Sequence, residues 1–395
     1  MMQFMKTCRL ASLRACLFFC FVALTFAPTR ADEPKFESLF NGKDLTGWKP
    51  EPGLWRVVDG CIEGGKSDGG PVERSTFMTV HRDGKDVIFK DFHFTAEFWI
   101  ETSNSGIQYR STRLHPSGFG VGGYQYEVSP GISTGFMHQQ NHTGPRVNVG
   151  DSMVNDPSAK AGPLVGFVAD QRWLVQQKFC KPAAWNRIDI ICRGNHLMHL
   201  ANGYPTIEYI DRDEKSADRK RRNDEGVLAL QVHSADAFRV RYRNLAIKQF
   251  DDTYRDALRV YNDKDLDGWK MPGDGADCWT AKASEYDDRG RLKAFGYLAC
   301  NGKGNQPLTL TTRPGASFIF RCQVKGDAWK PRDDSLFRAV AGWSLLEVTV
   351  RNGKASVELN GEVRTDLSAP IRDGQLALPS DVNAEYRNLI CIPVE

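Results

Sequence analysis

The chain has 395 residues, 26% of them charged and 41% hydrophobic, with a formal net charge of +3. So slight a charge excludes the broad basic footprint of a nucleic-acid binder, and no nucleic-acid partner is expected. The length exceeds one ordinary domain and points to two.

At the N-terminus, Lys6, Arg9 and Arg14 lead into a thirteen-residue apolar run, Ala15–Ala27. Crossing a bilayer takes roughly 20 apolar residues, so this run suits a signal h-region instead. Thr29-Arg30-Ala31 places small residues where a signal peptidase reads them. Residues 1–31 are therefore expected to be a signal peptide, and the mature chain to be exported, periplasmic or extracellular, without a membrane span. Cys8, Cys16 and Cys20 would leave with it, and the remaining seven of the ten cysteines cannot all pair within one chain. The chain carries no CxxC and no His/Cys spacing for zinc.

Next come short runs of period two. In Phe92–Ile100 the even positions are apolar and the odd ones mixed, as on a strand with one face in a core. Ile188–Cys192 and Val348–Val350 follow the same rule. Asn202-Gly203, Asn352-Gly353 and Asn360-Gly361 are hairpin-turn signals, because both residues tolerate positive φ. No long stretch carries a helical stripe. Many short antiparallel strands separated by turns predict an all-β sandwich or jelly roll. Arg219–Arg222 sit among alternating acidic residues and read as a solvated loop.

The chain also repeats itself. Asn41–Lys49 recurs as Asn262–Lys270 with seven of nine positions identical. Trp185 and Asn202 are 17 positions apart, as are Trp343 and Asn360; GVLAL returns as GQLAL, and YRNL closes both copies. Matches in one order predict a duplicated domain. The expected organisation is a first domain over 32–250, a linker over 251–257 and a shorter related sandwich over 258–395.

Six pieces of the first domain form a set: LFNGKDLTGWK, WRVVDGCI, DFHFTAEFWIETSNSGIQYRS, GYQYEV, AAWNRIDIICRGNHLMHLANG and GVLALQVHSADAFRVRYRNLAIK. Together they resemble the 3-keto-disaccharide hydrolase family, also described as 3-keto-glucoside lyases and glucal hydratases, from Phe36 to about Phe250. The resemblance implies a concanavalin A-like antiparallel jelly roll with a sugar site on its concave face, and a saccharide or keto-saccharide ligand. It implies no organic cofactor and leaves a divalent ion open.

Parity assigns the faces. Asn104, Gln108 and Arg110 share one face of NSGIQYR, opposite Ile107 and Tyr109. Gln125 and Glu127 point away from Tyr124 and Tyr126; Gln231 and His233 point away from Leu230 and Val232. An ordinary solvated sheet face would show the same pattern; the resemblance favours a site. A 3-keto group acidifies the proton on carbon 2; its removal gives an enolate that expels the anomeric substituent, after which water adds. This needs a base, an enolate stabiliser and an acid. On the resemblance, His233 is a candidate base, since imidazole titrates near neutral pH. Glu127 is the alternative base or the acid, and Arg110 with Asn104 would hold the developing oxyanion. Gln108, Gln125, Gln231 and His199 are candidate substrate contacts, His199 equally readable as a satisfied imidazole. His138 and His142 read as a polar loop, with lining of the site or metal binding as the alternatives.

The second copy carries Pro379 and Asp381 where Gln231 and His233 stand, and lacks NSGIQYR and GYQYEV. It is expected to be catalytically silent. The rival function is a non-catalytic carbohydrate-binding module. A carboxylate-pair glycosidase is the third, but no ExDxE run is present and Glu97 and Glu101 bear no mark of a flanking pair.

Overall fold

The structure, a computed structural model, describes residues 35–395 apart from 142–144, 158–163, 214–222, 236–238, 272–275, 287, 289–291, 295 and 334. The signal segment, the Arg219–Arg222 cluster and His142 lie outside the described residues.

Alternation builds the strands. Along Phe92–Ile100, the side chains of Phe92, Phe94, Ala96, Phe98 and Ile100 enter the core, while Thr95, Glu97 and Trp99 stay half-buried. Each fully buried Phe contributes about 2 kcal/mol by leaving water. At Asn202-Gly203 φ is 49° and 80°, at Asn352-Gly353 49° and 74°, and at Asn360-Gly361 51° and 78°. Positive φ at both central residues is the geometry of two-residue hairpins that match strand twist.

Among the described residues the first sandwich consists of a ten-stranded and an eight-stranded sheet. The larger runs Leu164–Phe167, Asp151–Asn155, Tyr204–Asp211, His196–Ala201, Asn186–Arg193, Phe92–Ile100, Val240–Gln249, Cys61–Gly64, Trp55–Val58, with Glu37–Ser38 added on Val240–Gln249. Its pairs are antiparallel except Asp151–Asn155 with Tyr204–Asp211. The smaller sheet runs Met137–Gln140, Val121–Val128, Ser105–Arg113, Gly226–Val232, Thr76–Arg82, Trp48–Lys49. Between the two lies a core that includes Phe92, Phe94, Ile107, Tyr109, Tyr126 and Leu230. This is an antiparallel jelly-roll sandwich.

A second, shorter sandwich follows. Its eight-stranded sheet centres on Asn383–Pro393, Phe318–Lys325 and Ser344–Arg351; its four-stranded sheet runs Trp269–Lys270, Leu308–Leu310, Gln375–Leu378, Ile371–Arg372. The opening turns of the two sandwiches share one construction. Asn41 Nδ2 donates to Asp44 Oδ1 (2.8 Å) and Asn262 Nδ2 to Asp265 Oδ1 (2.7 Å). Trp48 Nε1 donates to Leu39 O (2.8 Å) and Trp269 Nε1 to Val260 O (3.0 Å).

The sandwiches pack directly on each other. Val154 and Ile210 of the first meet Ile319, Ile390 and Ile392 of the second, and Met198 and Leu200 meet Phe337 and Leu345. At the contact, Glu347 accepts from Arg193 (2.8 Å) and Arg321 (2.7 Å). Burial opposes the ionisation of Glu347, but the two guanidinium groups outweigh it and hold its carboxyl well below the usual range. The seven cysteines among the described residues are free thiols. No helix among the described residues is long and apolar enough to cross a membrane.

Candidate functional site

The outer face of the eight-stranded sheet, turned away from the larger sheet, gathers most of the polar residues singled out from the sequence. Ser111 Oγ donates to Gln108 Oε1 (2.7 Å), Gln108 Nε2 to Gln125 Oε1 (2.6 Å), and Gln125 Nε2 to Glu127 Oε2 (3.0 Å). One directional ladder thus crosses two paired strands and ends on a carboxylate. Gln108 and Gln125 are almost fully buried and commit their amides to the ladder, so they position Glu127 and are not the substrate contacts expected of them.

A glycine makes the ladder possible. Gly106 pairs with Glu127 on one side and, one step beyond the Ile107–Leu230 pair, neighbours Gln231 on the other. The Gln125 side chain folds over Gly106 so closely that a Cβ there would stand 2.5 Å from Gln125 Cδ. Glu127 and Gln231 therefore flank Gly106 two strand spacings, roughly 10 Å, apart. The buried Gln231 Oε1 accepts from no protein donor among the described residues. Leaving such an acceptor unmet costs about 1–3 kcal/mol unless water or a ligand donates to it.

Glu127 is 8% exposed. Burial pushes its carboxyl up to about 7, against the smaller opposing pull of the Gln125 bond and the Arg146 cation. It is thus poised to take and give a proton at neutral pH. His138 pairs across from Gln125 on the neighbouring strand, and burial together with Arg146 lowers its pKa. Arg146 is exposed and lies over the Phe136 ring, 3.9 Å from its centroid. His233, half-buried, follows the Gly226–Val232 strand directly and meets Ser234 O through Nδ1 (2.7 Å). Asn104, also half-buried, directly precedes Ser105–Arg113.

Two further sequence expectations are corrected. Arg110 does not share the face of Gln108. It is the extra residue of a β-bulge: three steps from Gln108 to Ser111 match two from Ala229 to Val227, and Arg110 has φ 45°. Its side chain turns inward, donating to Lys90 O (2.7 Å), Gly194 O (2.6 Å) and Asp91 Oδ1 (2.8 Å). Gly226 accommodates the bulge, since a Cβ there would meet the Arg110 carbonyl carbon at 2.4 Å. His199 lies inside the sandwich, between Tyr109 Oη (2.7 Å) and Gly135 O (3.1 Å), where burial drives its pKa down to about 3. Neither side chain reaches the outer face.

The bulge resets parity and brings Arg113 to that face. Arg113 Nε bonds Asp86 Oδ2 (2.6 Å), and its Nη2 bonds Asp86 Oδ1 (2.7 Å) and Thr79 Oγ1 (2.7 Å), with His81 also on Asp86 (3.0 Å). Although burial opposes it, these partners hold Asp86 well below the usual carboxylate range. An apolar patch of Phe77, Val121, Val227 and Ala229 occupies the same face. Sequence parity missed Arg113, and nothing local to Arg146 marks it as a neighbour of Glu127. Among the described residues no three His, Cys, Asp or Glu are grouped to hold a metal ion.

Residues 35–248 match a family described as the 3-keto-alpha-glucoside-1,2-lyase-like domain. No curated protein matches the chain. Among solved structures, a protein of Parabacteroides distasonis provisionally named a glycosyl hydrolase is 17% identical, with 55% of this chain and 100% of that one covered at a TM-score of 0.34. A carbohydrate-binding module of Bacillus subtilis is 13% identical (52% and 98% covered, TM-score 0.32). A β-glucanase of Bacillus licheniformis is 8% identical (56% and 100% covered, TM-score 0.30).

Proposed function

The chain belongs to the 3-keto-alpha-glucoside-1,2-lyase-like domain family, and from that membership we propose that it cleaves 3-keto-glycosides by elimination and hydration, with Glu127 as the base. The observation that carries the proposal is the Glu127 carboxyl, raised to about 7 by burial at the end of a ladder of neutral amides. Half ionised near neutral pH, it accepts the acidified proton from carbon 2. The electron pair moves into the carbon 3 carbonyl, and the enolate oxygen gains stabilisation from the Arg146 cation that also acts on Glu127. The bond from carbon 1 to the leaving oxygen then breaks, with a proton supplied by His233. Water adds across the resulting double bond, its hydroxyl at carbon 1 and its proton at carbon 2, to give the free 3-keto sugar. Gln231, with its unmet acceptor, is the proposed contact for a sugar hydroxyl, and half-buried Asn104, just before the Ser105–Arg113 strand, is proposed as a second.

Export belongs to this proposal too, since an upstream oxidation of sugars outside the cytoplasm would supply the ketone. So does the duplication of one ancestral sandwich, supported by the paired Asn–Asp turns and Trp bonds of the two copies.

The test is turnover of a 3-keto-disaccharide panel beside the unoxidised sugars. Product release confined to the keto sugars, and lost at least 100-fold in Glu127→Gln, supports the reading. Saturable binding without release would replace it with a non-catalytic carbohydrate-binding module. Unchanged turnover in His233→Ala would remove His233 from the acid role.

A further inference from the structure

The four-stranded sheet of the second sandwich repeats part of the site-bearing sheet and departs from it where the site strands begin. Trp269 pairs with Leu310 as Trp48 pairs with Val80, and Thr309 with Ala377 as Thr79 with Ala229. Beyond Ala229 the first sandwich places Gln108 and the long Ser105–Arg113 strand. Beyond Ala377 the second sandwich places the two-residue strand Ile371–Arg372 and the segment before it, with Ala377 N donating to Pro370 O (2.8 Å).

The space left is a cavity of about 730 Å³, within the range of small-molecule sites. Ala377, Pro379 and Asp381, the counterparts of Ala229, Gln231 and His233, line it. Leu367, Ile371 and Pro379 offer half-buried apolar surface. Asn305 and Asp381 stand exposed in the wall and make no hydrogen bond or ion pair among the described residues. Arg372 adds a donor. Free polar groups beside apolar surface match a pyranose, which carries hydroxyls on its rim and C–H groups on its faces. The other lining carboxylate, Asp366, is committed to Arg364 (2.6 Å). No acid–base pair of carboxylates is therefore free across the cavity, as direct hydrolysis of an unoxidised glycoside would require.

We infer that this cavity is a second saccharide site, which holds an unoxidised oligosaccharide without cleaving it. The inference takes its ligand class from the carbohydrate reading of the first domain but not the elimination mechanism. The experiment is calorimetric titration of the full chain with gluco-oligosaccharides of two to six units. Four proteins are compared: wild type, Glu127→Gln, the double variant Asn305→Ala/Asp381→Ala, and Ser368→Trp, which fills the cavity from its exposed wall. Wild type and Glu127→Gln should bind alike. The two cavity variants should bind at least tenfold more weakly while melting at the wild-type temperature and turning over a soluble 3-keto-glycoside at the wild-type rate. Equal affinity in all four proteins, loss confined to Glu127→Gln, or no binding by wild type would overturn the inference. Binding that persists in a protein without keto-sugar turnover would leave it standing while the elimination reading failed.

Discussion

Replacing Glu127 by Gln removes a titrating group whose environment favours its protonated form, and the consequence for stability has a definite sign. The native carboxyl titrates at about 7 against an ordinary 4.5, chiefly because it is buried. Between those values the folded chain binds more protons than the unfolded chain, so wild-type stability falls as pH rises through this window. The gap of about 2.5 pH units, at about 1.4 kcal/mol each, amounts to about 3 kcal/mol by pH 8. Gln cannot ionise and escapes that loss. Unfolding entropy of about 2 cal/mol/K per residue gives roughly 0.7 kcal/mol/K for a chain of this length, so the loss corresponds to about 4 °C in Tm. Tm of wild type and Glu127→Gln would be followed by scanning calorimetry from pH 4 to pH 8. The difference between them should shift by about 4 °C in favour of the variant, whatever constant offset the substitution itself brings. A difference that stays flat across this range would show that Glu127 titrates as an ordinary carboxylate, and the argument for it as a base at neutral pH would fall.

Three further outcomes follow from the same geometry. Gly106→Ala should lower kcat/KM at least tenfold while Tm moves little, because its Cβ displaces Gln125 and disconnects Glu127 from the ladder; unchanged kinetics would make the ladder irrelevant to the carboxyl. Arg146→Ala removes a cation that pulls the Glu127 pKa down, so the rising limb of the pH profile of kcat/KM should move to higher pH, and a shift the other way would contradict the assignment. Glu347→Gln leaves Arg193 and Arg321 buried without their anion, and a loss of about 3–5 kcal/mol in urea unfolding is expected; a loss below about 1 kcal/mol would mean the sandwiches do not depend on this contact.

How much of the site was legible depended on the strand. Along Val121–Val128 and Gly226–Val232 parity places Gln125, Glu127 and Gln231 correctly, because one face packs on the core and the other does not share in it. The Ser105–Arg113 strand defeats the same rule at one residue. A left-handed Arg is not encoded by any glycine or asparagine at position 110; it is held by Asp91, Lys90 and Gly194, far along the chain. His199 fails for another reason. Every residue of His196–Ala201 is buried, with the eight-stranded sheet on one side and Phe337 and Leu345 of the second sandwich near Met198 and Leu200 on the other. Where both faces are covered, alternation no longer distinguishes core from surface.

The amino-acid order alone settled what depends on neighbours one or two residues away: strands of period two and Asn-Gly hairpins. Those are local, since backbone sterics and the in–out pleat act within a few residues. Tertiary contact decided which carboxylate titrates near neutral pH and which guanidinium stands beside it, for burial and charge proximity are properties of segments brought together from across the chain. Glu127 and Arg146 became partners only when the sheet had folded.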